Sequence, residues 1–399
     1  MTTAPSGSTD PARIALIGTH GFGASHLRNL ARLEKEGVAR LVGVVDVTEP
    51  PAELQAIHHR SLGELLDAVS AGDRPEIVII ATPIDTHVPL ATEALAAGLD
   101  VYLEKPPVPA LEELQQLEDA ARAAGCSVQV GFQARGGAGV DLLADEVANG
   151  ALGQVDTVQV YGAWQRDRAY YRRSAWAGRR RLNGRRVADG VATNPLAHSV
   201  HAGLVIAGIH EVSDIRSVTT ELRRAHDIEA DDTTFLRIDP VGDGPAVVCA
   251  LTTAAPTQSP PWIEAVGTSG THRLFYTDDV SRRTQSAAAG AAVELTHQRL
   301  DLLENLIAHV RDRSVGLLSS LESTGAFSAV LEAIQSAPDP APIPAEAVDW
   351  QGEGDAAHPV VEDIEETLRR SLAEGRPFSE LGVSWADEEA VQVWTPPAP

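Results

Sequence analysis

An apolar run at residues 13–17 leads directly into Gly18, Thr19, His20, Gly21, Phe22 and Gly23, and helical spacing begins immediately afterwards. A strand that reverses into a helix over so few residues needs glycine, because the turn demands backbone angles and close approaches that a β-carbon forbids. The same turn aims backbone amides at the amino end of the next helix, which makes a seat for a pyrophosphate. A glycine cluster alone is a weak signal. Here it sits between a strand and a helix and is followed by a second strand ending in Asp46, the arrangement of a dinucleotide site. A carboxylate at that position accepts hydrogen bonds from the adenosine ribose and repels a phosphate on it. With no arginine beside it, Asp46 favours NAD over NADP.

The alternation continues. Strands are expected at 13–17, 41–46, 76–81, 100–103 and 127–132, with helices at 26–37, 61–71, 87–98 and 111–125 between them, the pattern of a parallel sheet covered by helices. After residue 135 the texture changes. A helix at 140–149 precedes strands at 155–162, 214–222, 233–238, 246–253, 262–268 and 271–276, which read as a mostly antiparallel, open-faced sheet. Residues 286–290 read as a small-residue loop, 295–311 and 317–336 as helices, and SAPDPAPIPAE as a proline-rich connection to a last helix at 360–374. A chain of 399 residues is too long for one core. The expected architecture is α/β: an N-terminal Rossmann domain with a doubly wound parallel sheet at 11–133, a substrate-binding and oligomerisation α+β domain at 134–345, and a C-terminal extension at 346–399.

A formal charge of −24 argues against nucleic acid and anionic membranes as partners and leaves small molecules. The amino end has no basic region followed by an apolar run, and Cys126 and Cys249 are too few for a disulfide framework, so a reducing cytoplasm is expected. No residue spacing suggests a metal site. Positive charge is carried almost wholly by arginine, and the only lysines are Lys35 and Lys105. Arginine keeps its proton at neutral pH whereas a desolvated lysine releases it, so Lys105 stands out as a candidate acid/base. It follows a strand, in Glu104-Lys105-Pro106-Pro107, as Thr82-Pro83 follows another just before His87. In open parallel sheets, ligands bind at these carboxyl ends.

With these motifs in place the chain resembles the Gfo/Idh/MocA oxidoreductase family. The likeness runs from Arg13 to about Pro340 through the glycine turn ending in His26, Thr82-Pro83 with His87, Glu104-Lys105-Pro106, Gly131-Phe132-Gln133 with Arg135, and Gly150-Ala151-Leu152-Gly153. It implies hydride transfer between a nicotinamide and a carbinol carbon of a sugar, cyclitol or related polyol. Lys105 would be the proton-transfer residue, with further cofactor contacts at Thr82, Pro83, His87, Glu104 and Gln133. A second copy of the chain is expected on the open sheet face.

Two positions depart from the resemblance. The family's second catalytic element is an aspartate four residues before a histidine, and this chain has Asn194 and His198. At i and i+4 they share one helical face and could jointly hold a substrate hydroxyl against Lys105, but asparagine cannot take its proton, so Lys105 and His198 would carry the acid/base work. His20 replaces the usual middle glycine, and its side chain limits how closely backbone approaches phosphate. These departures keep a second reading open, a nucleotide-binding sensor or regulatory subunit that lost catalysis. The basic, aromatic stretch WQRDRAYYRRSAWAGRRRLNGRR at 164–186 reads as a lid with Trp164 or Tyr170 stacking on a sugar, as an arm gripping another subunit, or as a solvated loop.

Overall fold

The computed structural model describes residues 10–285, 292–387 and 390–397, so the loop expected at 286–290 lies outside the described residues. The chain divides into two units, 1–108 with 112–131 and 300–321, and 109–111 with 132–299 and 322–399.

In the first unit, β1 (Ala12–Ile17), α1 (Gly23–Lys35), β2 (Ala39–Val45), β3 (His58–His59), α2 (Leu62–Ala68), β4 (Ile77–Ile80), α3 (His87–Ala96), β5 (Asp100–Leu103), α4 (Leu111–Ala124) and β6 (Val128–Val130) follow in order. The six strands form one sheet in the order β3-β2-β1-β4-β5-β6, every pair parallel. This is the dinucleotide-binding order of the Rossmann fold. Both β4 and β5 are buried at every position, as strands covered on both faces must be.

The sequence boundaries differ from these units at several segments: 109–111 and the extension at 346–399 belong to the second unit, and a further segment moves to the first. Residues 300–321, expected in the second domain, complete the first. Leu302, Leu303, Leu306 and Ile307 enter the core of Ile14, Leu16, Ile77, Ile79 and Tyr102. Buried Gln129 on β6 binds the segment through its side chain, to the Leu302 carbonyl at 2.7 Å and the Ser319 amide at 3.0 Å. The helices expected at 295–311 and 317–336 are also shorter. Val293–Thr296 is a strand paired with Val280–Gln285, and the helix Leu302–Arg311 starts where Asp301 caps the amides of Leu303 and Glu304. Ser319 and Leu321 exchange backbone hydrogen bonds with β6 about a lone bridge at Ser320, which takes that stretch out of a helix, and the next helix is Gly325–Ser336.

The second unit is built on a mostly antiparallel sheet. In spatial order its strands are Val293–Thr296, Val280–Gln285, Gly270–Phe275, Trp262–Gly267, Val155–Ala163, Ala246–Thr252, Thr233–Pro240 and Ile215–Arg224, with Ala341–Pro342 and Val391–Trp394 both on the last. The pleat sorts the central strands into two faces. Val160, Gly162 and Val247 meet the helix Ala197–Ile206 and the Leu196 before it; a β-carbon at Gly162 would stand 2.3 Å from Leu196 Cδ1. Tyr161, Ala163, Phe235, Val248 and Ala250 face the other way, into a core shared with Ile364, Leu368, Leu372, Phe378 and Trp385.

That second layer corrects the expectation of an open sheet face available for oligomerisation. The extension beyond residue 345 folds back, and its helix Ile364–Glu374 covers the central strands, which is why all seven residues of Ala246–Thr252 are buried. Strict alternation of burial along a whole strand is seen at Gly270–Phe275, farther out in the sheet. Leu368→Ala should therefore cost about 2–5 kcal/mol in denaturant unfolding, as expected for a leucine lost from a packed core. A cost near zero would show that the helix is not part of that core.

Candidate functional site

The first unit gathers its candidate residues at the carboxyl edge of its sheet. Gly18 has φ +89°, and a β-carbon there would fall 2.5 Å from the Ala81 carbonyl oxygen. One at Gly23 would fall 2.1 Å from the Gly18 carbonyl oxygen. These two glycines close the turn on itself and on the end of β4. Gly21, at φ +56°, plays a different part, since a β-carbon there meets nothing within 4 Å, so the tip of the turn faces open space. Helix α1 has no capping side chain and no acidic residue in its first turn. Among the described residues, the amides of His20, Gly21 and Phe22 have no hydrogen-bond acceptor, and Phe22 is 48% exposed beside them. Amides, glycine and open space fit a pyrophosphate. His20 does not intrude, because its Nε2 lies 3.0 Å from the Glu49 carbonyl oxygen and draws the ring aside.

Asp46 follows β2. Its Oδ2 accepts from the Thr19 amide at 2.8 Å and the Thr19 hydroxyl at 2.7 Å, and its Oδ1 from the Thr48 amide at 2.9 Å and hydroxyl at 2.8 Å. Burial raises the pKa of this carboxyl, but the four hydrogen bonds outweigh burial and bring it down to about 2. Asp46 is thus a fixed anion whose acceptor sites are largely taken by the chain. Its charge acts against a ribose phosphate, and a ribose hydroxyl has to share or displace a threonine. Thr48 escaped the sequence reading; its signal was only a hydroxyl residue two positions after the acid.

At the ends of β4 and β5 two loops are tied together. The Thr82 and Thr86 hydroxyls lie 2.6 Å apart, and the Thr86 hydroxyl donates to the Pro83 carbonyl at 2.7 Å. Buried His87 stands between two carbonyl oxygens, Thr82 at 2.9 Å from Nε2 and Pro106 at 3.0 Å from Nδ1. Burial lowers its pKa against the pull of these carbonyls, so the ring is neutral and donates to one of the two. Glu104 is buried, with Oε1 at 2.7 Å from His26 Nε2 and Oε2 accepting the Lys105 amide at 3.3 Å. A β-carbon at Gly131 would press on this carboxylate at 3.0 Å. Glu104 thus meets the backbone of Lys105 where the chain leaves the strand; Lys105 itself is half-buried, and its bond to Pro106 is cis.

In the second unit, the expected helical pairing of Asn194 with His198 is corrected. The helix is Ala197–Ile206 with Leu196 as its cap, so Asn194 lies in the preceding turn, its amide bonded to the Gly190 carbonyl at 3.0 Å. Pro195 explains the boundary, since a residue before proline is driven out of helical geometry. The Asn194 side-chain nitrogen donates to Asp189, a buried acid the sequence reading passed over, although an aspartate within the apolar run VADGVA was the available signal. His198 is half-buried with its ring edge-on to Phe132 at 6.1 Å. His201 stacks flat on Phe132 at 4.1 Å, and burial followed by the nearby Arg135 charge lowers its pKa to about 3, so it is a neutral core residue. Gln133 begins a short 3-10 turn, and its carbonyl accepts from Arg299 at 2.6 Å.

The basic stretch is a clasp within this unit. Arg173 binds Asp189 at 2.7 Å, Arg179 binds Glu229 at 2.8 Å, and Arg186 binds Glu332 at 2.6 Å. Arg180 closes the end of the helix Gly325–Ser336 by donating to the carbonyls of Ile334, Gln335 and Ala337. The Trp164 indole donates to the Ser259 carbonyl at 3.1 Å, and Arg166 lies over its ring at 4.8 Å. A groove of about 1150 Å³ beside the stretch is lined by Arg168, Arg181, Arg224, His226 and Trp350, and not by Asn194 or His198. Among the described residues no cluster of metal-ligating side chains occurs and no helix is long and apolar enough to cross a membrane.

Asp46 also sets a pH expectation. Because its folded pKa is depressed, its contribution to stability is full above the ordinary carboxylate value of 3.8 and is lost as pH falls toward about 2. The stability gap between wild type and Asp46→Asn should be flat from pH 5 to 8 and close below about pH 4. A gap that instead widens on acidification contradicts the ionised, threonine-held carboxylate.

Comparison with known proteins agrees with this geometry. Residues 12–132 match the Gfo/Idh/MocA family model, described as an oxidoreductase family with an NAD-binding Rossmann fold. Inositol 2-dehydrogenase of Rubrobacter xylanophilus is 32% identical over 151 residues, 37% of this chain and 42% of that enzyme, so the match spans less than half of the relative's length. The rhizopine catabolism protein MocA of Rhizobium meliloti is 25% identical over 284 residues, 67% of this chain and 80% of MocA. Among solved structures, the WlbA dehydrogenase from Bordetella pertussis, in complex with NADH and UDP-GlcNAcA, superposes with a TM-score of 0.64 at 22% identity, covering 82% of this chain and 94% of WlbA, which speaks for the fold. The likeness to the Gfo/Idh/MocA oxidoreductase family thus rests on residues 12–132, and the solved structures extend the likeness of fold beyond them.

Proposed function

We propose that the protein is an NAD-dependent dehydrogenase or reductase acting on a carbinol carbon of a sugar, cyclitol or related polyol. The observation that carries the reading is the β1–α1 turn, closed by Gly18 and Gly23, open at Gly21, and flanked by the ionised Asp46. A nicotinamide dinucleotide bound there supplies the hydride acceptor or donor. The amides at His20, Gly21 and Phe22 hold its pyrophosphate, Thr19 and Asp46 the ribose side, and Thr82, Pro83, His87 and Glu104 shape the neighbouring strand ends. Gln133 is assigned a contact with the same cofactor.

Lys105 is the acid/base. In oxidation its neutral amine takes the hydroxyl proton as the carbinol carbon gives up hydride; in reduction the ammonium returns it. Asn194 and His198 hold the substrate hydroxyl, and Trp164 offers an apolar ring to the sugar. Asparagine accepts or donates a hydrogen bond but takes no proton, so the proton passes through Lys105, with His198 the second titratable group assigned to the reaction. The relatives' substrates, inositol in one and a UDP-linked sugar acid bound to another, support a polyhydroxylated substrate.

Nicotinamide absorbance followed with NAD and a panel of cyclitols, sugars and uronic acids tests the reaction. Lys105→Ala should lower turnover by about two to four orders of magnitude while NAD affinity stays near wild type. His198→Ala should likewise cost turnover more than cofactor binding. Near-normal turnover in Lys105→Ala removes the lysine from the mechanism, and a wild type inert toward the whole panel removes the reaction.

A further inference from the structure

The turn before the helix Ala197–Ile206 holds a carboxylate for which the proposed reaction has no use. Asp189 is wholly buried at its side chain. Its Oδ1 accepts from Arg173 Nη2 at 2.7 Å and from Asn194 Nδ2, and its Oδ2 from the Gly178 amide at 2.6 Å. The side-chain atom that Asn194 turns toward Asp189 is the nitrogen, beside the two other donors on the same carboxyl. The amide oxygen, on the same carbon, is thereby pointed elsewhere in a fixed direction. A surface asparagine swivels between two such orientations; this one is committed.

We propose that Asp189 is a positioning residue for the substrate site, its carboxylate locking the Asn194 amide so that Oδ1 is presented as a fixed acceptor for a substrate hydroxyl. The inference rests on the reading of Asn194 as substrate-binding. It explains how asparagine serves where the family resemblance expects aspartate: the negative charge stands five residues earlier, buried and spent on orientation. It also reverses the simple expectation for restoring the aspartate. Asn194→Asp brings two carboxylates into contact, and like charges at that range oppose one another strongly.

The surroundings offer little relief. Arg173 is the cation at hand and is already engaged with Asp189. Tyr170 and Tyr171 stay neutral, their pKa values raised by burial first and by neighbouring acids including Asp189. A third acid, Asp231, lies across Gly190, where a β-carbon would stand 2.1 Å from its Oδ1. Burial raises the Asp231 pKa against the hydrogen bond from Thr234.

The test uses the full chain as wild type, Asn194→Asp, and the exchange Asp189→Asn with Asn194→Asp. Thermal melting at pH 5 and pH 8 is read beside NAD reduction in the presence of myo-inositol and the panel above. Asn194→Asp should melt roughly 5 °C below wild type at pH 8 and much closer to it at pH 5, where a proton shared by the two acids relieves the repulsion. The exchange should regain at least half of the lost melting temperature, and with it part of a KM for the polyol raised roughly tenfold in the single variant. If Asn194→Asp fails to fold at pH 8, recovery of folding in the exchange supports the pairing equally. Asn194→Asp melting with wild type at both pH values, or an exchange no better than the single variant, overturns the pairing. A wild type inert toward every polyol overturns the reaction and the positioning role with it, while the melting series separately decides the pairing.

Discussion

The first unit depends on one contact that only glycine permits, the backbone of Gly23 against the carbonyl of Gly18. A β-carbon would bring these to 2.1 Å, and with Gly18 itself pressed on Ala81 the turn leaves no room for side chains at either position. Because the turn is so tight, α1 begins at once, and the amides of residues 20–22 are left at its amino end instead of being consumed by a loop. Asp46 reaches across to the same turn through Thr19, so the acid proposed to discriminate among cofactors also braces the strand-to-helix reversal.

The second unit is organised by acids in a different manner. Asp189, Asp231 and Asp232 are all buried and all satisfied from nearby backbone: Asp189 by Gly178, Asp231 by Val191, Asp232 by Ala225 and His226. Each fastens a loop that a sheet alone would leave loose, and a buried carboxylate without such donors would be strongly destabilising. The arginines of residues 164–186 act in the same way, closing a helix end and pairing with Asp189, Glu229, Glu332, Asp339 and Asp355 in a chain whose net charge is −24. In sequence they resemble a lid or an arm because charge and aromatic content are visible there while their partners, up to 183 residues away, are not.

What could be read from sequence followed from local periodicity. The strands of the first sheet, the glycine turn and Asp46 all announce themselves within a few residues of each other, and the parallel order follows from alternation. The errors arose where distant contacts decide. Residues 317–321 have apolar helical spacing but are held in a turn and a lone bridge by hydrogen bonds to β6. The open sheet face was inferred from strands alone, whereas Ile364, Leu368 and Leu372, far along the chain, supply its cover. Asn194 and His198 have helical spacing in the sequence, yet Pro195 delays the helix and Asp189 claims the asparagine. Asp189 was invisible because nothing in a linear string shows which amide a buried carboxylate faces.

The account stands most directly on the wild-type protein's choice of dinucleotide. Titration with NADH and with NADPH, followed by nicotinamide fluorescence, should give saturable binding of NADH that NAD competes away, and much weaker binding of NADPH, because the fixed Asp46 charge opposes the ribose phosphate. NADPH binding as tight as NADH, or no binding of either, would contradict the assignment of the turn and its carboxylate.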